Sequence, residues 1–204
     1  YWIVFTSILL FQHTQGWNWD FLVYLMNGEY MFHSGEFMEW LRPPFASFLM
    51  GLLQYVFSRP LSGYVFIAIV SALSLYAAVK FCRSQDLDSF VFYVLLSGPA
   101  FISFSTREGT ELLALSFLIL FLADLDEAKS GLWMGLSVLT RWTSGIMAPL
   151  IFLQRDLRKV LKTALLASSV GIPWLIYNQL ALGDPLASPV SFISLNIILR
   201  AQST

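Results

Sequence analysis

The stretch Leu61–Cys82 reads LSGYVFIAIVSALSLYAAVKFC and carries one charge, at Lys80. As a helix rising 1.5 Å per residue it extends roughly 33 Å, and the hydrocarbon core of a bilayer is about 30 Å thick. Val160–Leu182 is a second run of the same character, with Lys162 close to its start. The whole chain agrees with these two segments. Of its 204 residues 57% are hydrophobic and 12% charged, and the mean hydropathy is +0.67. A soluble domain carries about 25% charged residues, so the polar shell that water demands is missing here. Aromatic residues reach 16%, with 18 Phe and 7 Trp, and Trp and Tyr gather at membrane interfaces. The expectation is an all-α, polytopic transmembrane helical bundle.

Charge and cysteine content remove several function classes. Twelve Lys and Arg stand against 13 Asp and Glu, a net charge of −1, which lacks the basic footprint of a nucleic-acid binder. The lone cysteine, Cys82, excludes an internal disulfide framework and a cysteine-based zinc site. The chain opens at Tyr1 inside an apolar run, Tyr1–Phe11, and stops at Thr204 with Val190–Leu199 just behind it. Residues 1–204 therefore read as a single membrane module, incomplete at both ends.

Phe90–Phe104 and Thr110–Ala123 are shorter apolar runs that become adequate spans with their flanks. Gly131–Leu153 is long but interrupted by Thr140-Arg141-Trp142, which predicts a hairpin of two short helices turning at Arg141. Pro43–Phe57 is apolar yet too short to cross. Asp20–Trp40 mixes aromatics and Met with Glu29, Glu36 and Glu39, the pattern of an amphipathic helix lying in the interface. Three short loops collect Lys80/Arg83, Lys129 and Arg155/Arg158/Lys159/Lys162, and the positive-inside rule places them in the cytoplasm. One threading satisfies all three loops. The first helix runs outward, Leu61–Cys82 inward, Phe90–Phe104 outward and Thr110–Ala123 inward, followed by the hairpin and an outward Val160–Leu182. Counting both hairpin arms, this gives about seven helices.

With that threading two polar clusters share the non-cytoplasmic side. One holds Trp17-Asn18-Trp19-Asp20, then Glu29, His33 and the Arg42-Pro43-Pro44 turn; the other is Ser105-Thr106-Arg107-Glu108-Gly109-Thr110-Glu111. Ionisable groups at a membrane boundary that face protein are functional candidates. Carboxylates with arginines beside them suit a site that binds a phosphate and deprotonates a hydroxyl. Plainer readings stand next to these. Ser105-x-x-Glu108 is also a capping box, Arg107 and Glu111 are also an i,i+4 pair, and Asp20 is also an N-cap. The three glutamates of the interfacial helix also read as its solvated face, and His13 and His33 as packing residues without a metal partner. Arg141 lies between apolar stretches, where a lipid-facing cation costs at least about 2.5–3.5 kcal/mol. It should face the protein interior, toward a carboxylate or an anionic ligand.

The order of these features resembles the GT-C superfamily of integral-membrane glycosyltransferases. The matching pieces are Asp20, Arg42-Pro43-Pro44-Phe45, the Phe104–Glu111 stretch, Gly131-x-x-x-Gly135-Leu136-x-x-Leu139-Thr140-Arg141 and Pro173-Trp174-x-x-Tyr177-Asn178. The Ser-Thr-Arg-x-x-x-Glu stretch is most similar to the GPI mannosyltransferase I group. One departure stands out: many members carry an acidic pair after the first helix, whereas Phe21 follows Asp20.

The resemblance implies a module of seven helices and an inverting hexosyltransferase. Such an enzyme moves a sugar, mannose among the candidates, from a polyprenyl- or dolichyl-phosphate carrier in the bilayer. The acceptor is a glycan, lipid or protein on the non-cytoplasmic side of a plasma or endoplasmic-reticulum membrane. In these terms Asp20 is the catalytic base, and Glu108 and Glu111 orient the acceptor or hold a divalent cation such as Mg2+ or Mn2+. Arg107, Arg141 and Arg42 bind the donor phosphate. Two other classes fit the residues: a transporter or flippase for lipid-linked sugars, and a non-catalytic membrane scaffold.

Overall fold

The computed structural model describes residues 2–14, 16–90 and 109–199, and among them there is no strand. Its helices are α1 (Trp2–Thr14), α2 (Trp19–Phe32), α3 (Pro44–Leu53), α4 (Arg59–Ser84), α5 (Thr110–Ala123), α6 (Ser130–Thr140), a 3-10 helix (Trp142–Leu153), α7 (Leu157–Leu182) and α8 (Ala187–Ile193). A π-helical turn, Ser194–Leu199, follows α8. Phe90–Phe104 lies, but for its first residue, outside the described residues.

Helices α4 and α7, each of 26 residues, are long and apolar enough to cross a membrane. They differ in cover. Helix α4 packs against α1, α3 and α5 and leaves Leu61, Ile69 and Tyr76 exposed, whereas α7 leaves Leu161, Leu165, Ile172, Ile176 and Leu180 exposed along its length. The 14 residues of α5 and the 13 of α1 give only about 20 Å each.

Contacts fix the direction of each helix. Thr6 Oγ1 meets Ser71 Oγ at 2.5 Å and Trp17 packs edge-on against Tyr64, so α1 and α4 run antiparallel. Lys80 near the end of α4 reaches Asp124 at the end of α5, so those two run parallel. Helix α6 returns: Trp133 donates to Asp124 near its start, and Ser137 Oγ donates to Ala114 O at 2.9 Å further along. The predicted hairpin is present. Gln154, just past the 3-10 helix, lies 3.3 Å from Ser130 Oγ at the start of α6, and the chain breaks at Arg141 in extended backbone. Its second arm is 3-10 rather than α-helical. Pro149 offers no N–H to an α-helical ladder, which removes one of the bonds that would hold the wider helix. Helix α7 then seats against α6 at two glycines. A Cβ on Gly131 would stand 2.1 Å from Thr163 O, and one on Gly135 2.7 Å from Ala167 O. Small residues at such a spacing let two membrane-type helices approach backbone to backbone.

The basic loops consequently share one end of the bundle. Lys80 and Lys129 both pair with Asp124, and Gln154 bonds Thr163 beside the Arg155–Lys162 segment. The starts of α2 and α5 and the break at Arg141 lie at the opposite end.

The region Asp20–Trp40 departs from expectation. Helix α2 ends at Phe32, and one side of it is enclosed by the protein: Phe21, Val23, Tyr24, Leu25, Asn27 and Gly28 are all buried. Residues 33–43 fold back along it. The reversal occurs at Ser34, with φ of 58°, and Gly35, whose N–H joins that of His33 on Glu29 O. Asn27, fully enclosed, pins the returning segment by exchanging two hydrogen bonds with the backbone of Glu39, at 2.8 and 3.1 Å. Sequence periodicity did not show this pin, because it joins residues on opposite sides of a chain reversal.

Candidate functional site

Asp20 sits in the first turn of α2, where a carboxylate complements the positive helix terminus, and Asn18 occupies the N-cap position. The Asp20 carboxylate is ion-paired with Arg42, which also donates from Nε to Glu39 Oε1 at 3.1 Å and lies 5.6 Å from the ring centre of Tyr24. The Asn27 pin holds Glu39, Glu39 holds Arg42, and Arg42 holds Asp20. Burial lowers the pKa of the Arg42 guanidinium, but the field of Tyr24, Glu39 and Asp20 with the Asp20 hydrogen bond outweighs it, so the pKa is raised overall. Arg42 is a fixed cation.

The second carboxylate, Glu111, stands in the first turn of α5. Gly109 occupies the N-cap position with φ of +68°, and a Cβ there would meet Ile67 Cδ1 at 2.7 Å, so glycine both permits the turn and lets α5 lean on α4. Thr110 Oγ1 donates to Glu111 Oε2 at 3.2 Å. Across the bundle Glu111 forms an ion pair with Arg141, each side chain about one-third exposed. Arg141 thus faces a carboxylate, one of the two environments expected for it. The helix begins at Thr110 after a left-handed Gly109. Ser105, Arg107 and Glu108 themselves lie outside the described residues.

One hydrogen bond joins the two ion pairs. Trp142, next to Arg141, donates from Nε1 to the carbonyl of Leu41, next to Arg42, at 3.0 Å across 101 residues of sequence. The Asp20–Arg42 and Glu111–Arg141 pairs are therefore neighbours at one end of the fold. Glu29 and His33 are not part of this group; Glu29 pairs with Arg59 instead. His13 is buried against Phe21, with ring centres 4.8 Å apart, and Cys82 is buried.

Trp142 also lines an apolar cleft of about 820 Å³ between α6, the 3-10 helix, α7 and α8, together with Met134, Val138, Ile146, Trp174 and Phe192. A second apolar cavity, about 350 Å³, lies on the other side of the α6–α7 seam, and Leu139 and Trp174 line both. Trp174 is 8% exposed, and its indole N–H has no hydrogen-bond partner among the described residues. Trp40, Trp174 and Tyr177 form an aromatic group beside it, with the Trp40 and Tyr177 rings stacked at 5.5 Å.

Among the described residues no group of three or more His, Cys, Asp or Glu is placed to hold a metal ion. Asp20 and Glu111 each face an arginine, and Glu108, the other carboxylate expected to hold a cation, lies outside the described residues.

Position beside or within the apolar runs pointed to Asp20, Arg42, Glu111 and Arg141, and the structure pairs them two by two at this end. Asn27, Tyr24 and Trp142 were not singled out as site residues, and Glu39 was read as part of a solvated face, since each acts through a contact made by tertiary folding. The one available signal was that Trp142 follows the arginine interrupting an apolar stretch. No protein-family model, no curated protein and no solved structure matches this chain.

Proposed function

We propose that the chain is the glycosyltransferase module of a multi-pass membrane protein of about seven helices. It transfers a sugar from a polyprenyl- or dolichyl-phosphate carrier to an acceptor hydroxyl or amide on the non-cytoplasmic side. The observation that carries this reading is Trp142, which ties together two arginine–carboxylate pairs and also lines a large apolar cleft. An amphiphile with an anionic head and a long apolar tail matches that combination of groups. The exposed apolar stripe of α7 suits contact with lipid, and the seven cations at the other end suit the cytoplasmic surface.

In this mechanism the tail of the carrier lies in the cleft and its phosphate is drawn to Arg141 and Arg42, which give up part of their hold on Glu111 and Asp20. The indole N–H of Trp174 is a further donor for an oxygen of the head group. Asp20, loosened from Arg42, accepts the proton of the acceptor hydroxyl as the hydroxyl oxygen attacks the anomeric carbon. The bond between that carbon and the phosphate oxygen breaks, its electron pair stays on the phosphate, and the arginines stabilise the charge that develops. Attack opposite the leaving group inverts the configuration. No step is routed through a metal.

The test is incubation of membranes bearing the full-length protein with prenyl-phosphate sugars, followed by mass spectrometry of the products. Asp20→Asn should lower turnover by about 10²–10⁴-fold, the usual contribution of a general base, with donor binding and expression retained. Donor movement across the bilayer without any sugar transfer would replace this reading with a flippase.

A further inference from the structure

We propose that Arg155, Arg158, Lys159 and Lys162, around the start of α7, form with the apolar stripe beside them a binding surface for an anionic phospholipid. Five cations elsewhere in the chain are already engaged. Arg42, Arg59 and Arg141 each pair with a carboxylate, and Lys80 and Lys129 share Asp124. The four at α7 are all exposed, and among the described residues none of their side chains makes an ion pair. The one acid between them, Asp156, caps the helix by accepting from the backbone N–H of Arg158 at 2.8 Å. Four positive charges against one negative leave an excess of three within eight residues.

The helix places these charges in line with its apolar stripe. At 3.6 residues per turn, Arg158, Leu161, Lys162, Leu165 and Ile172 fall within an arc of about 100°. Val160 and Thr163 stand on the opposite side and are buried, with the Thr163 carbonyl close against Gly131 of α6. The cations and the exposed leucines therefore share the face of α7 turned away from the bundle. From Leu165 to Leu182 the helix rises about 26 Å, close to the roughly 30 Å of bilayer hydrocarbon. With that length among acyl chains, Arg158, Lys159 and Lys162 come to the level of the headgroups. Leu157 and Leu161, both exposed, interleave with the cations and meet the first methylenes of the chains.

Cation first and aliphatic next, along one face, is the order of an acidic phospholipid from head to tail. Guanidinium groups hold phosphate oxygens through paired, charge-assisted hydrogen bonds. A zwitterionic lipid brings its own ammonium to the same patch and loses that advantage. Clusters of four or more Lys and Arg at the cytoplasmic end of a spanning helix attract acidic lipids, by about fivefold in affinity for each charge. The inference needs α7 to cross the bilayer. It does not need the chain to be a transferase, because this surface is at the end of the fold away from Arg42 and Arg141.

Native mass spectrometry of the full chain in detergent micelles, titrated with phosphatidylglycerol or phosphatidylcholine of matched acyl chains, tests this without turnover. Phosphatidylglycerol should bind about tenfold more tightly or better. Arg158→Gln and Lys162→Gln should each weaken it about fivefold, and together on the order of twentyfold, with phosphatidylcholine unaffected. Arg83→Gln removes a cation from the last turn of α4 at the same end of the fold, and should change binding by less than about twofold. All three positions are exposed and glutamine is a good helix former, so the variants should fold. Equal affinity for the two lipids, or a loss in Arg83→Gln as large as in Lys162→Gln, would overturn the assignment. Inorganic phosphate and glycerophosphoglycerol carry the charge without the acyl chains. Displacement of phosphatidylglycerol by either at equal concentration would make this a site for soluble anions and overturn the lipid reading.

Discussion

Trp142 and Leu41 are joined by a 3.0 Å hydrogen bond from indole to carbonyl, and each is the sequence neighbour of an ion-paired arginine. This bond sets the spacing between the Asp20–Arg42 and Glu111–Arg141 pairs, which come from the beginning and the middle of the chain. Trp142→Phe keeps the apolar ring in the cleft and removes only the donor. Unfolding in detergent should register a loss of about 1 kcal/mol. Turnover should fall about tenfold or more, because small misplacements of catalytic groups are amplified in rate. Equal turnover in the variant would show that the two pairs act independently.

The Glu111–Arg141 pair lends itself to a double-mutant cycle. Each side chain is about one-third exposed, so the pair falls between a surface bridge and a buried one. Arg141→Leu should destabilise by about 1–2 kcal/mol, because Glu111 keeps its charge and loses its partner. Adding Glu111→Gln should return part of that loss. Simple additivity of the two changes would mean that the pair contributes nothing.

Asp124 predicts a pH dependence at the other end of the fold. Burial raises its pKa, but hydrogen bonds from Lys80 and Trp133 and the charges of Lys80 and Lys129 outweigh it, and the carboxyl ends below its ordinary range. A depressed carboxyl stabilises the fold above the unfolded pKa and loses that contribution as pH falls through the folded one. Asp124→Asn should therefore cost about 2–3 kcal/mol at neutral pH. The gap from the native protein should close below about pH 4. A gap that persists undiminished at pH 3 would assign the loss to packing instead.

Topology is open to direct labelling. The native thiol, Cys82, is buried and stays silent to a membrane-impermeant reagent, so single cysteines can be read against it. Asn18→Cys and Asp184→Cys, both at exposed positions, should label from outside intact cells or sealed vesicles of native orientation. Ser84→Cys and Lys159→Cys, also exposed, should label only after permeabilisation. Labelling of Asn18→Cys and Ser84→Cys from one side would remove the two-ended arrangement on which the site depends.

Hydrophobic run length alone determined that the described chain is helical and that Leu61–Cys82 and Val160–Leu182 form its two longest helices. Apolar length is a local property, read without knowing any neighbour. The break at Arg141 was equally legible, since one cation inside an apolar stretch must leave the helix line or find a partner. Tertiary structure decided which partner. Nothing in the spacing of Glu111 and Arg141, 30 residues apart, matches one to the other; α5 and α6 must first pack antiparallel, with Ser137 on Ala114. The same holds for α2, whose acidic residues suggested a solvated face until the chain reversal at Ser34 brought Glu39 back onto Asn27 and Arg42 onto Asp20. A pattern of charges specifies that partners are needed, and only the path of the backbone specifies which ones meet.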